Sequence, residues 1–116
     1  AERYRQLFGQ TKHAECVVLP PTKPGNFHVY NQFTVRVPKR DELRAFLKEK
    51  GVGTEVYYPL PMHLQNCYRE LGHGKGSFPL SERAAEEVMS LPIYPELTEA
   101  QQSYVVEMIA EFYRRT

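Results

Sequence analysis

Apolar and polar positions alternate along residues 27–37. Phe27, Val29, Phe33, Val35 and Val37 fall on one side, and His28, Tyr30, Gln32, Thr34 and Arg36 fall on the other. A period of two predicts a strand with one buried face, ended by Pro38. Asn31 interrupts the apolar side, so the strand is expected to leave the core there. A second strand is expected over Val52–Tyr58, where Thr54 and Val56 supply β-branched side chains and Pro59 closes the run. Between them, Leu43, Phe46 and Leu47 recur at helical spacing, predicting a helix over Arg40–Lys50 with Gly51 as its stop. Strand, helix, strand in that order predicts a crossover unit with both strands in one sheet.

The remaining pattern is mostly helical. Tyr4, Leu7 and Phe8 predict a helix end over residues 1–9, stopped by Gly9, and Val17-Val18-Leu19 is a short apolar run ended by Pro20-Pro21. Leu64–Leu71 reads as a short helix closed by Gly72, with a glycine loop after it. Ser81 is positioned to cap a helix reaching about Ser90, with Ala84, Ala85, Val88 and Met89 inward. Leu91–Pro95 is extended, and its prolines restrict it to an edge position. Thr98 and Gln101 form a capping box that opens the clearest helix, with Tyr104, Val105, Met108, Ile109 and Phe112 as its stripe. The fold class expected is an α/β (α+β) two-layer sandwich, a small mixed sheet of three or four strands with helices packed on it.

Composition narrows the class. The chain has 116 residues, 41% hydrophobic and 25% charged, which suits one domain with one core. A net charge of +1 gives no long-range field for nucleic acid or a membrane surface, so neither is an expected partner. No apolar run approaches the roughly 20 residues of a spanning helix. Two cysteines, Cys16 and Cys67, are too few for a disulfide-stapled secreted domain. Free thiols and a cytoplasmic location are the expectation. The first residues have no Met and read as the end of a helix already under way, so a piece of a longer polypeptide is expected.

The stretch Val56–Gln65 holds the densest candidate chemistry. Pro59 and Pro61 stiffen an extended ledge that aims Tyr57, Tyr58 and His63 outward. Its bland alternative is a proline-rich turn with buried rings and wet hydroxyls. His28, Tyr30 and Gln32 form a polar face that resembles a cleft lining more than a solvated sheet surface. His63, Cys67 and His73 are potential metal ligands, but they lack a fourth ligand at a familiar spacing, and no metal is expected. The loop at 72–76 lacks phosphate-loop spacing, and no nucleophile elbow appears.

These residues carry a family resemblance. His28-Val29-Tyr30-Asn31-Gln32-Phe33, Arg40-Asp41-Glu42-Leu43, Gly51-Val52-Gly53-Thr54 and Tyr57-Tyr58-Pro59-Leu60-Pro61-Met62-His63 are followed in order by further short motifs. These are Leu71-Gly72, Phe78-Pro79, Ser81-Glu82-Arg83-Ala84, Ser90-Leu91-Pro92 and Glu96-Leu97-Thr98. As an ordered series the chain resembles the C-terminal small domain of the DegT/DnrJ/EryC1/StrS sugar aminotransferases, which are fold-type I pyridoxal-phosphate enzymes. The match is continuous from about residue 27. Residues 1–26 are then the end of an inter-domain helix and its connecting segment, and residues 27–116 are the small domain.

The resemblance implies a parent enzyme that transfers an amino group, typically from glutamate, to a nucleotide-linked keto sugar. Its products are amino sugars for polysaccharide or antibiotic. It also implies pyridoxal phosphate in the parent, a homodimer, and a large cofactor-binding domain absent from these residues. None of Lys12, Lys23, Lys39, Lys48, Lys50 and Lys75 lies in a cofactor-lysine context. This chain is therefore expected to hold no cofactor, to contain no catalytic residue and to be inactive alone. By the same resemblance Tyr57, Tyr58 and His63 border the sugar-nucleotide pocket, with His28, Tyr30 and Gln32 lining it from the neighbouring strand. Two alternatives stay open: a free-standing, non-catalytic α/β ligand-binding or interaction module, and a sugar dehydratase of the same family.

Overall fold

A computed structural model describes all residues, 1–116. Its elements in order are helix α1 (Glu2–Gln10), strand β1 (Phe33–Arg36), helix α2 (Arg40–Glu49), two short 3₁₀ helices (Met62–Leu64 and Asn66–Leu71), helix α3 (Pro79–Glu87), strand β2 (Val88–Leu91) and helix α4 (Glu99–Arg115). The two-layer α/β architecture expected from the sequence is present. No helix is long and apolar enough to cross a membrane.

The sheet is built around β2. Strand β1 pairs with it antiparallel, Phe33 opposite Leu91 and Val35 opposite Met89. On the far side of β2, Glu55 bridges Ser90, also antiparallel, and Val18 bridges Arg36 beyond β1. Two segments that each run antiparallel to β2 run parallel to one another. The sheet proper has two strands, not three or four, so the expected crossover with two paired strands is not formed: its second arm reaches the sheet only through Glu55, on the far side of β2 from β1.

Alternation sorts the two faces of the sheet. Phe33, Val35, Met89 and Leu91 are buried and join Tyr4, Phe8, Leu43, Leu47, Val105, Val106, Ile109 and Phe112 in one apolar core. On the opposite face Thr34 and Ser90 share a hydroxyl hydrogen bond at 2.8 Å. Arg36, next on that face, makes a two-pronged ion pair with Glu87 at 2.6 and 3.0 Å. Val56 and Ala85 are buried outside the main core.

Helix α4 opens as its sequence predicts. Thr98 Oγ1 accepts from the Gln101 amide, and Gln101 Oε1 accepts from the Thr98 amide, completing the capping box. Its buried stripe is turned relative to the expected one. Val106 and Ala110 face the core, whereas Tyr104 is exposed and Met108 only partly covered.

Several sequence expectations are corrected. The strand over 27–37 is regular only across Phe33–Arg36, and Phe27 and Val29 are exposed. The reason is Tyr30, whose φ of +52° lies in the left-handed region and turns the chain before the ladder begins. Val52–Tyr58 contributes a single bridge instead of a strand. Leu64–Leu71 forms 3₁₀ turns, not an α-helix. The helix expected to reach Ser90 starts at Pro79 and stops at Glu87, because Val88–Leu91 is drawn into the sheet, where Met89, Ser90 and Leu91 are buried. Leu91 ends β2 and is paired on one side only, with Phe33. The first helix passes through Gly9 to Gln10.

Candidate functional site

The polar face of the sheet and the ledge that follows Val56 meet at Tyr57. A groove of about 320 Å³ runs along the sheet, lined by Asn31, Gln32, Thr54, Glu55, Tyr57 and Ser90 among others. A second hollow of about 220 Å³ lies between the ledge (Tyr57, Tyr58, Leu60, Pro61, Met62) and Ser81, Ala84 and Ala85 of α3. Tyr57 walls both. The Tyr57–Tyr58 peptide is cis, and the two rings stand edge to face with centroids 5.8 Å apart.

Four of the eight tyrosine hydroxyls are hydrogen-bonded within the chain, and those of Tyr57, Tyr58, Tyr68 and Tyr94 are not. Those of Tyr4, Tyr104 and Tyr113 donate to the carbonyls of Pro92, Lys50 and Pro38 at 2.8, 3.0 and 2.7 Å. The Tyr30 hydroxyl lies 3.1 Å from Arg5 Nη2 and 3.2 Å from Thr22 Oγ1, and those two contacts, Thr22 first, hold it below the ordinary phenol range. The Tyr57 and Tyr58 hydroxyls make no hydrogen bond within the chain, and 42% and 73% of these residues' surfaces are exposed. Two rigid aromatic platforms with free donor–acceptor tips are what a polar ligand with a flat or hydroxylated group uses.

The six residues singled out from sequence are not all brought together. Gln32 and Tyr57 share the groove, and Tyr57 and Tyr58 share the hollow. His28 and Tyr30 lie elsewhere. Their rings stack at 4.0 Å, His28 Nδ1 accepts from the Tyr30 amide at 2.9 Å, and Tyr30 packs toward α1 through Arg5 and toward Phe33. The alternation that put His28, Tyr30 and Gln32 in one register ends at the left-handed Tyr30.

His63 lines neither the groove nor the hollow. Its side chain is 8% exposed, and Nε2 lies 3.0 Å from Glu82 Oε1. Glu82 also accepts from the Gly76 amide at 2.8 and 2.9 Å and from the Phe78 amide at 3.3 Å. These bonds, Gly76 first, stabilise the carboxylate and hold Glu82 below the usual range.

Sequence reasoning missed Asn31, Thr54, Glu55 and Ser90 as groove residues. Glu55 had a signal, since it shares parity with Tyr57. Ser90 had none, because it read as the end of a helix. Glu82 was also missed, although a carboxylate in the first turn after a glycine loop is a recognisable anchor. Glu55 is the one charged residue in the groove.

Neither hollow fits a covalently held pyridoxal group, because no lysine lines either one. No three His, Cys, Asp or Glu side chains gather as a metal requires. Cys67 is exposed, with its sulfur 3.9 Å from Gln65 Oε1.

Comparison with known proteins gives one consistent result. A family model described as the DegT/DnrJ/EryC1/StrS aminotransferase family matches residues 1–110. A pleiotropic regulatory protein of Geobacillus stearothermophilus is 58% identical over 100 residues, covering 86% of this chain and 27% of that protein. The dTDP-3-amino-3,4,6-trideoxy-alpha-D-glucose transaminase of Streptomyces venezuelae is 40% identical over 97 residues, covering 84% of this chain and 26% of that one. The X-ray structure of DesV from S. venezuelae superposes with a TM-score of 0.84 at 34% identity, covering 99% of this chain and 32% of DesV. The chain thus spans about a quarter to a third of the length of these relatives.

Proposed function

Because this chain belongs to the DegT/DnrJ/EryC1/StrS aminotransferase family, we propose that it serves as the substrate-facing small domain of a pyridoxal-phosphate-dependent sugar aminotransferase. The parent enzyme passes an amino group, from glutamate, to the ketone of a nucleotide-linked sugar. Pyridoxal phosphate supplies the electron sink for that transfer. It is held by the remainder of the longer polypeptide, since no lysine of this chain faces the groove. The reaction runs in the cytoplasm, in a homodimer.

The observation that carries this reading is the unengaged hydroxyl of Tyr57 on a groove whose other polar groups are amides, hydroxyls and one carboxylate, with the unengaged hydroxyl of Tyr58 on the adjoining hollow. Such a set hydrogen-bonds the hydroxyls of a neutral sugar well. It contains no lysine or arginine to neutralise a diphosphate. We therefore assign the sugar end of the substrate to Tyr57, Tyr58 and Gln32, and the nucleotide diphosphate to the remainder of the enzyme. Tyr57 and Tyr58 bind and orient the sugar, and their rings exclude water from the face they cover.

The test is an assay of the complete polypeptide with pyridoxal phosphate, glutamate and either a dTDP-linked or a UDP-linked 3-keto hexose. Formation of 2-oxoglutarate and an amino sugar supports the reading. Absence of amino transfer to both, with cofactor bound, rejects it. The relative that is 58% identical is named as a regulatory protein, which favours a second reading: a regulatory polypeptide that retains the fold. That reading expects nucleotide-sugar binding without turnover.

A further inference from the structure

The ledge Tyr57–Met62 lies against α3 through the apolar hollow, and apolar contact alone leaves sliding motions open because it has no direction. Across residues 57–65, one hydrogen bond ties the ledge to α3, and it is the bond from His63 to Glu82. We propose that His63 and Glu82 are a positioning pair that fastens the Tyr57–Tyr58 rim in its working place. The proposal rests on the reading of that rim as a sugar contact.

The geometry makes the fastening specific. A carboxylate only accepts, so His63 Nε2 is the donor of this bond. Both partners are largely covered, with side chains 8% and 14% exposed, so water competes weakly for the bond. The same carboxylate takes the amides of Gly76 and Phe78. Glu82 therefore joins three separate segments: the ledge, the glycine turn and the start of α3. The Phe78 ring completes the joint, meeting the His63 and His73 rings edge to face, each at 4.9 Å. An ionised Glu82 suits this role, and its lowered pKa agrees with it.

The experiment places 3-fluorotyrosine singly at Tyr57, Tyr58 or Tyr104 in the complete polypeptide and reads the ¹⁹F spectrum. His63→Ala and Glu82→Ala are expected to shift and broaden the Tyr57 and Tyr58 resonances and leave Tyr104 in place. His63→Gln, which restores an N–H near the Nε2 position, is expected to bring them back. In turnover assays the alanine variants are expected to raise KM for the nucleotide sugar roughly tenfold, with kcat within about twofold, and His63→Gln to recover most of the loss. Unmoved Tyr57 and Tyr58 resonances in both alanine variants overturn the positioning pair. Moved resonances with an unchanged KM overturn the sugar-contact reading instead and leave the fastening standing. If alanine unfolds the loop, His63→Phe decides, because it keeps a ring against Phe78 and removes the N–H that reaches Glu82. A spectrum identical to wild type in that variant overturns the pair.

Discussion

The hydroxyl of Tyr4 donates to the carbonyl of Pro92 at 2.8 Å, tying the first helix to the end of β2. Tyr4 is fully buried, and burial raises its phenol above the ordinary range. Tyr4→Phe keeps the ring and removes the donor. We expect a loss of about 1–2 kcal/mol, read as a lower urea midpoint with an unchanged m-value.

Thr98→Ala removes the oxygen that accepts the Gln101 amide. The expected cost is about 1 kcal/mol, or about 4 °C in melting temperature, with Thr98→Gly losing less. Differential scanning calorimetry checks it.

Val35 and Met89 face each other across the ladder, and both are fully buried. Met89→Ala opens a void at the meeting point of sheet and helices and is expected to cost about 2–5 kcal/mol. Chemical denaturation measures it. A cost below about 1 kcal/mol would mean the core is not closed there.

Glu87 receives Arg83 at 2.7 Å and Arg36 at 2.6 and 3.0 Å, and these contacts, Arg83 first, lower its pKa. A carboxyl whose folded pKa is depressed contributes stability above its unfolded value, about 4.3, and loses it as pH falls through the folded value. The contribution of Glu87 to stability should therefore fade as pH falls below about 4.3 toward the lowered folded value. Glu87→Gln should flatten the upper part of that decline, and added salt should shrink the difference. Thermal melts across pH measure both effects.

In the complete enzyme, Tyr58→Phe is expected to weaken nucleotide-sugar use by roughly three- to tenfold while cofactor loading, read from its absorbance, stays unchanged. Gln32→Leu should act in the same direction, because it lines the groove that Tyr57 walls. Equal loss of sugar use and loading would remove the assigned role.

What the sequence discloses follows from how local each determinant is. Thr98 and Gln101 announce α4 because both halves of the cap lie within one turn. Phe33, Val35 and Val37 announce a buried face because alternation is a property of neighbouring residues. Tyr30 is opaque, since its left-handed backbone turns the chain out of a pattern that otherwise continues through it. Val88 and Met89 extend a helical stripe in sequence, and only their antiparallel partners Arg36 and Val35 make them a strand. The site divides in the same way. Tyr57 and Tyr58 stand out through the prolines after them, whereas the meeting of Gln32 with Tyr57 depends on Ser90 standing between Thr34 and Glu55.

The position of β2 between two arms, β1 and the segment bridged at Glu55, sets an order on assembly. During synthesis β1, α2 and the segment around Glu55 leave the ribosome well before Val88–Leu91, yet those four residues bridge the two arms. Until they arrive, Phe33 and Val35 face water without their cross-strand partners, and the groove has no floor. A nascent chain halted before Leu91 is therefore left with an open, apolar edge, which is the state that chaperones and proteases recognise.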